Sequence, residues 1–173
     1  MTVAFDIVSY RRTLGRFATG VAVVTATGRD GRTVGLTISS FNSVSIDPPL
    51  VLFSLAKTAL SIEAMRGAEG YAVNILGEDQ RHLSDQFARS RCDKWASVEH
   101  ALGVFGAPLL ADAIAHFECA PWAQYDGGDH LIFVARVLRF SSASGRPLVF
   151  FQGAYRALAE DAQAPMWPLP IHY

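Results

Sequence analysis

The sequence predicts a mostly β fold, in the form of a closed or nearly closed antiparallel barrel with a few short helices. About six or seven short segments are rich in β-branched and aromatic residues and are separated by turns. Residues 20–27 and 33–39 flank the turn GRDGR and predict a hairpin. Strands and helices do not alternate regularly along the chain, which argues against a doubly wound parallel sheet.

The elements can be placed along the chain from their apolar spacing. Residues 5–19 have the spacing of an amphipathic helix, residues 61–68 predict a short helix with Ser61 as its N-cap, and residues 78–90 predict a helix with a polar face. Residues 91–112 are expected to be irregular, and the proline-rich tail 159–173 is expected to be extended. The remaining strands are expected at 51–56, 71–77, 116–125, 130–140 and 147–158.

Composition limits the classes of function. The chain has 173 residues, is 50% hydrophobic and carries a formal net charge of −1, which indicates one globular domain and gives no electrostatic case for nucleic acid or an anionic membrane. No apolar run reaches the roughly 18 residues that span a bilayer, and the N-terminus lacks the apolar core of a signal peptide. We therefore expect a cytoplasmic protein. Cys92 and Cys119 are expected to be buried or half-buried inert thiols, and no local zinc motif is present.

The stretch from Val34 to Ile46 is unusual. As one period-2 strand it would have a mostly apolar face and an opposite face of small hydroxyl residues around a single aromatic. Such hydroxyls beside Gly35 can bind phosphate oxygens, and they are equally typical of a solvated strand face. The hydroxyl residues are Thr37, Ser39, Ser40, Ser43 and Ser45.

Two further features carry possible chemistry. Lys57 is one of few lysines and follows a predicted buried strand, where a solvated lysine is the ordinary alternative. Asp129 and His130 follow a Gly-Gly turn at the start of another strand. A carboxylate beside an imidazole can fix its orientation, although a simple hairpin turn would have the same pattern.

Together these segments resemble the short-chain flavin reductases, the reductase components of two-component flavin-dependent monooxygenases. The resemblance covers about residues 8–158. It is carried by RFATGVAVVTA, GLTISSFNSVSIDPPLVLFSLAK, YAVNIL, LSDQFA, GDHLIFVARV and PLVFFQGAYRAL. It implies an FMN-binding split barrel of Greek-key type and a homodimer. It also implies FMN or FAD as the flavin, NADH or NADPH as hydride donor, and transient delivery of reduced flavin to an oxygenase.

The resemblance also implies roles for individual residues. Thr37, Ser39 and Ser40 contact the flavin phosphate and ribityl groups, and Gly35 and Leu36 lie close to the ring. His130 positions the nicotinamide and Asp129 fixes its turn or tautomer, with no general acid or base assigned. The other implied cofactor-binding residues are Phe41, Ser54, Leu55, Ala56, Lys57, Thr58, Asn74, Phe87, Arg91 and Lys94.

The sequence departs from the family pattern at Ala59 and Ala135, where a hydroxyl residue and glycine are common, and in its tail with Trp167 and His172. Two other functions remain open at this point. One is a flavin-binding or electron-carrier protein of the same fold without nicotinamide turnover. The other is an oxidase of a small substrate such as pyridoxamine phosphate, against which the GDH and SVSIDPP segments argue.

Overall fold

The computed structural model describes residues 5–90 and 92–159, and within this range every pairing between strands is antiparallel. The α-helices are α1 (Ile7–Leu14), α2 (Ile62–Gly67) and α3 (Arg81–Ala88), and short 3-10 helices span Glu78–Gln80 and Val104–Gly106. The strands are β1 (Thr19–Gly20), β2 (Ala22–Thr27), β3 (Thr33–Ile38), β4 (Asn42–Ser45), β5 (Leu50–Ala56), β6 (Tyr71–Ile75), β7 (His100–Leu102), β8 (Pro108–Leu110), β9 (Ala115–Gly127), β10 (His130–Ser142), β11 (Val149–Phe151) and β12 (Ala154–Arg156). The prediction of a mostly β chain with few short helices is confirmed.

One large sheet dominates the fold. Its seven strands run in the order β3-β2-β6-β9-β10-β5-β4, so β3 and β4 are its two edges. Only residues 39–41 separate these edge strands in the chain, and four Cα steps span at most about 14 Å. The sheet must therefore curl until its edges come close together.

The curled sheet is not a fully closed barrel. Within the described residues no backbone ladder joins β3 to β4. Ser40 is in the loop after β3, and its side chain contacts strand β5. Its Oγ donates to the carbonyl of Ser54 (3.1 Å) and accepts from the Ser54 N–H (3.0 Å). The closed form of the predicted barrel is thus corrected: a side chain spans the gap that a strand pairing would fill.

The predicted single strand from Val34 to Ile46 is also wrong in detail. The chain leaves one edge of the sheet at Ile38 and joins the other edge at Asn42, so the alternation between faces does not continue across the loop. Val44 and Ile46, expected on the core face, are 46% and 73% exposed.

Other boundaries differ for local reasons. The predicted helix 5–19 shortens to α1, which begins after Asp6, whose carboxylate accepts from the Val8 N–H (3.0 Å), and ends at Gly15. None of the residues of α1 is buried, so its apolar side does not pack into the described core. Ser61 occupies the N-cap position of α2 without a side-chain capping bond.

Three further expectations can be compared with the structure. The segment 91–112, expected to be irregular, contains the small hairpin of β7 and β8. Of the two thiols, Cys119 is buried, and burial raises its pKa to about 12, whereas Cys92 is exposed and the expectation for it was wrong. The expected extended tail lies outside the described residues from position 160 onward. Among the helices that the structure describes, none is long and apolar enough to cross a membrane.

The main core fills the inside of the curled sheet. The rings of Phe53 and Phe133 are stacked with centroids 5.1 Å apart, and Tyr71 meets both edge-on. All three side chains are almost completely buried. The Tyr71 hydroxyl donates to the Met65 carbonyl (3.1 Å), and burial raises the pKa of Tyr71 to about 12. Tyr71 is therefore a neutral core residue at physiological pH.

A second buried cluster lies between the sheet and α3. It includes Val23, Leu83, Phe87 and Leu148, with Tyr155 packed at its border. Since Val23 is on β2 and Leu148 directly precedes β11, this cluster attaches both α3 and the C-terminal hairpin β11–β12 to the large sheet.

Asn74 is a fully buried amide that connects three strands. Its Nδ2 donates to the Val23 carbonyl (2.9 Å), and its Oδ1 accepts from the Leu110 N–H (2.8 Å). A buried backbone group without a partner is costly, so this amide satisfies groups that the sheet leaves open. Asn74, implied by the resemblance to bind cofactor, instead has a structural position in the core.

We expect Asn74→Ala to lower the free energy of unfolding by about 2–4 kcal/mol, because it leaves the Leu110 N–H and the Val23 carbonyl without the amide. Urea denaturation measures this change. The control is Asn42→Ala, an exposed asparagine on β4, for which about 0.5 kcal/mol or less is expected. Equal effects of the two substitutions would contradict the structural role of Asn74.

Candidate functional site

A cleft runs along the edge strand β3 and has two adjoining halves. One half, here called the Lys94 half, has a volume of about 520 Å³ and lies between β3, residues 59–61 and the segment after α3. The other, the His130 half, has a volume of about 560 Å³ and lies between β3, β5 and the β9–β10 turn. Leu36, Thr37 and Ala59 line both halves. Volumes of this size are typical of sites for small organic ligands and cofactors.

Gly35 lies under an aromatic ring. A Cβ at this position would come within 2.6 Å of the Phe87 ring, so only glycine permits the contact. Phe87 is 1% exposed and belongs to the second core cluster. The close approach expected between Gly35 and a ligand is therefore made by Phe87, and both residues form a wall of the Lys94 half.

Lys94 connects this wall to the edge strand. Its Nζ donates to the Phe87 carbonyl (2.7 Å), in the last turn of α3, and to the Gly35 carbonyl (3.2 Å). A cation is favourable at a helix C-terminus, where carbonyl groups lack helical partners. Burial lowers the pKa of Lys94, and the nearby Cys92 partly offsets this effect. Arg91, implied at the same end, lies outside the described residues.

Two of the five predicted hydroxyl residues are already engaged with the protein. Thr37 Oγ1 donates to the Ser84 carbonyl (2.7 Å), and Ser40 Oγ donates to the Ser54 carbonyl (3.1 Å). Each hydroxyl has one hydrogen, so in this arrangement these two oxygens can only accept from a ligand. Ser39 is exposed, and no described residue makes a hydrogen bond with its hydroxyl. A phosphate needs donors, and the hydroxyls of Ser39, Ser43 and Ser45 make no hydrogen bond with a described residue. Of these three, Ser39 lines the His130 half.

Strand β5 supplies the opposite wall of the His130 half. Ser54 and Ala56 are half-buried, while Leu55 between them is buried in the main core. All three line the His130 half, and their contact with a cofactor stays a prediction. Thr58, also predicted, is exposed in the turn after β5.

Lys57, for which the resemblance implies cofactor binding, is paired with a carboxylate of the protein. Its Nζ forms an ion pair with Asp126 at 2.5 Å, and its backbone N–H donates to the Asp129 carbonyl (2.9 Å). The hydrogen bond from Lys57 lowers the pKa of Asp126. The two contacts fasten the tip of the β9–β10 hairpin to the end of β5.

The β9–β10 turn presents a fixed imidazole to the cleft. Gly128 has a φ of +81°, as the first position of a two-residue hairpin turn requires in this geometry. His130 Nδ1 lies 2.6 Å from Asp129 Oδ1, and this hydrogen bond lowers the pKa of Asp129. An ionised Asp129 accepts from Nδ1–H, which leaves Nε2 as the acceptor nitrogen of the neutral ring. The predicted pair is brought together at the mouth of the His130 half.

Phe41 does not line either half of the cleft. Its ring packs 5.3 Å from that of Phe117 at the border of the main core. The implied contact of Phe41 with cofactor is therefore replaced by a packing role, since the loop after β3 turns this side chain toward the core.

Several residues of the site were missed from the sequence. Ile132 lines the His130 half, and period-2 alternation from His130 could have placed it there. Trp95 lines the Lys94 half, and its Nε1 donates to the Thr33 carbonyl (3.2 Å). Ser84 contacts Thr37 from α3. No local pattern distinguishes Trp95 or Ser84, because both contacts join segments distant in sequence.

Metal binding has no visible basis in this part of the chain. Across residues 5–90 and 92–159, no group of three His, Cys, Asp or Glu side chains is placed to hold a metal ion. The described cleft instead combines apolar side chains, hydroxyl oxygens, an imidazole and a half-buried ammonium.

The family model and the curated relatives that match this chain point to the same protein family. Residues 14–159 match the flavin reductase like domain. An FMN reductase (NADH) of Agrobacterium fabrum is 42% identical over 147 residues, which cover 85% of this chain and 83% of the relative. A stachydrine N-demethylase reductase subunit of Rhizobium meliloti is 42% identical over 160 residues, or 92% of this chain and 70% of the relative.

Solved structures agree with this result. The NADH:FAD oxidoreductase of Streptomyces globisporus, solved with NAD and FAD fragments, superposes with a TM-score of 0.87 at 39% identity, covering 91% of this chain and 96% of that one. The chain spans about half the length of some curated relatives, for example 49% of a probable flavin reductase of Rhizobium meliloti that is 42% identical over 151 residues, or 87% of this chain.

Proposed function

Because the chain belongs to the flavin reductase-like family, we propose that it is an NADH-dependent reductase of FMN or FAD. A hydride passes from the nicotinamide to the flavin, a proton comes from solvent, and NAD⁺ and reduced flavin are the products. The observation that carries this proposal is the position of the Asp129–His130 pair. Its oriented imidazole borders the same cleft as the hydroxyl oxygens of β3 and the loop that follows it.

The chemistry of the cleft fits a flavin. Leu36, Ala59 and Ile132 provide apolar surface for a planar ring. Thr37 and Ser40 can accept hydrogen bonds from ribityl hydroxyls or ring N–H groups, since their own hydrogens are committed. The flavin, when bound, supplies the acceptor of the hydride.

The phosphate end is assigned by charge. Lys94 and Arg32 line the Lys94 half together with Asp93, and Arg32 lies 4.0 Å from Asp30, so Lys94 is the cation of this half that has no carboxylate partner among the described residues. Two of the three Lys94 ammonium hydrogens are used by backbone carbonyls, so one remains for an anionic group. Ser39 offers a further free O–H. The Lys57 ammonium is held by Asp126 and is assigned to the hairpin tip instead of the phosphate.

The chain contributes alignment to the reaction. The two walls of the cleft hold two reactants side by side, which converts a bimolecular step into one between preorganised groups. When the ring is neutral, Asp129 holds the proton of His130 on Nδ1, so that Nε2 can accept a hydrogen bond from the nicotinamide carboxamide. No side chain has to donate or remove a proton, because a reduced flavin exchanges protons with water.

A split barrel is the fold we propose for this arrangement. The curled seven-stranded sheet, its unpaired edges and the side-chain contact of Ser40 with Ser54 support it, together with the relatives. We also propose a cytoplasmic location, where NADH is available and an exposed thiol such as Cys92 stays reduced.

The proposed partners are a second copy of the chain and a flavin-dependent oxygenase. A trigonelline monooxygenase of Acinetobacter baylyi has a reductase component 40% identical over 152 residues, or 88% of this chain and 49% of the relative. Contact with the oxygenase can be transient, since reduced flavin reaches it by diffusion.

The homodimer is supported by α1. Ile7, Val8 and Leu14 are 55–60% exposed, and no residue of α1 is buried. A helix of eight residues is not stable alone in water, so a surface must cover its apolar side. A second copy packed on α1 would cover these exposed side chains.

Anaerobic mixing of the protein with flavin and NADH tests the activity. The flavin absorbance is expected to bleach, with one flavin reduced per NADH consumed. FMN and FAD are each paired with NADH and NADPH to identify the preferred combination. Tight flavin binding without bleaching by either nucleotide would refute the reductase and favour the electron carrier.

His130→Ala is expected to weaken the use of NADH and not the binding of flavin. The expected loss of transition-state stabilisation is about 1–2 kcal/mol, which lowers kcat/KM for NADH roughly 5- to 30-fold. Stopped-flow reduction at varied NADH and a flavin titration measure the two effects. His82→Ala, an exposed histidine outside the cleft, is the control. Equal losses of NADH use and flavin affinity would show that His130 is only a turn residue.

Sedimentation at micromolar concentration is expected to give twice the chain mass of 18.8 kDa. Leu14→Asp should shift the protein toward the monomer, because it places a charge in the apolar face of α1. Leu102→Asp is the matched control, since Leu102 is 68% exposed on the separate β7–β8 hairpin. A monomer in the wild type, or the same response from both variants, would contradict the proposed interface.

A further inference from the structure

A chain of hydrogen bonds connects the C-terminal hairpin β11–β12 to the cleft. The Tyr155 hydroxyl on β12 lies 2.8 Å from Ser84 Oγ on α3. The backbone carbonyl of the same Ser84 accepts from Thr37 Oγ1 at 2.7 Å. Thr37 lines both halves of the cleft. One residue of α3 therefore joins Tyr155 to a side chain of the site.

The direction of these hydrogen bonds is fixed by a carboxylate. Tyr155 donates its only hydrogen to Asp85 Oδ1 at 3.0 Å. Its oxygen must then accept from Ser84 Oγ, so the chain runs from Ser84 through Tyr155 to Asp85. Hydrogen bonds in such a series strengthen one another. Arg81 balances the charge, with its Nε 3.6 Å from Asp85 Oδ2.

The Tyr155 ring is held as firmly as its hydroxyl. The Arg81 guanidinium lies 4.9 Å from the ring centroid, and Phe150 meets the ring edge-on at 5.6 Å. Ser84 itself is completely buried. Tyr155 thus contacts Arg81, Ser84 and Asp85 of α3. These residues have i, i+3 and i+4 spacing and so lie on one face of the helix.

A small depression lies at this junction. It has a volume of about 200 Å³, and its lining includes Thr37, Ser39, Ser84 and Tyr155. Ser39 also lines the His130 half. The hydrogen-bond chain is therefore adjacent to the hydroxyl row that the proposed function assigns to the flavin.

We propose that Tyr155 is a positioning residue for flavin binding. It holds α3 in the position in which the Ser84 carbonyl accepts the hydrogen bond from Thr37 Oγ1. The Thr37 oxygen is then available to the ligand as a hydrogen-bond acceptor. This inference rests on the proposed function. It assigns to the C-terminal hairpin a role in flavin affinity, while the NADH end of the cleft at His130 is independent of it.

The test compares four variants by equilibrium titration with FMN and with FAD. Tyr155→Phe removes the hydroxyl and keeps the ring, and Ser84→Ala removes the same contact from the helix side. Each is expected to raise the flavin dissociation constant about five- to tenfold, as expected for one lost hydrogen bond. The double variant is expected to match the single ones, because both break one chain. The KM for NADH should stay unchanged in all three.

Tyr71→Phe is the control, because it removes a phenol hydrogen bond that joins the main core to α2 and makes no contact with α3. It should lower the melting temperature as Tyr155→Phe does, with no change in flavin affinity. Unchanged flavin affinity in Tyr155→Phe, or additive losses in the double variant, would overturn the inference. If Tyr155→Phe does not fold, the flavin affinity of Ser84→Ala tests the inference, and an unchanged dissociation constant overturns it. The flavin titration does not depend on turnover. If the wild type did not oxidise NADH, the proposed reductase activity would be refuted, and the flavin dissociation constants would still test the role of Tyr155.

Discussion

The short connection between the two edge strands governs this structure. Residues 39–41 carry the chain from β3 to β4, so a seven-stranded sheet has to curl until its edges nearly meet. The interior then closes around Phe53 and Phe133. The edges do not pair, and the polar backbone of β3 must find other partners. A cleft arises at the place where a closed barrel would have had another pairing.

The side chains that complete this edge also form the site. Lys94 bonds to the Gly35 carbonyl of β3, and Ser40 bonds to both polar backbone groups of Ser54. Thr37 reaches from the same strand to α3. Structure and the proposed function share these groups: Ser39 keeps its O–H, whereas the hydrogens of Thr37 and Ser40 are already given to backbone carbonyls. They stabilise the gap in the sheet and present acceptor oxygens to whatever binds there.

Most strands and the Asp129–His130 pair could be predicted, because alternation and Gly-rich turns are local signals. The resemblance to a family added the site as a whole. The sequence could not show which polar side chains already have hydrogen-bond or ion-pair partners within the fold. The amide of Asn74 and the ammonium of Lys57 have suitable chemistry for a ligand, and in the fold they serve Val23, Leu110 and Asp126. Such contacts join residues far apart in the chain and leave no local pattern.

Lys94 has an energetic consequence of its own. Burial lowers its pKa, so the folded chain binds this proton less readily than the unfolded chain does. Stability linked to this group therefore rises as the pH increases through the range between the two pKa values, and at neutral pH the charge weakens the fold. A methionine of similar length would avoid that penalty and would leave the Phe87 and Gly35 carbonyls without the ammonium donor. The same ammonium thus has an unfavourable burial and two favourable carbonyl contacts, and its third hydrogen is the one that faces the cleft as a donor for an anion.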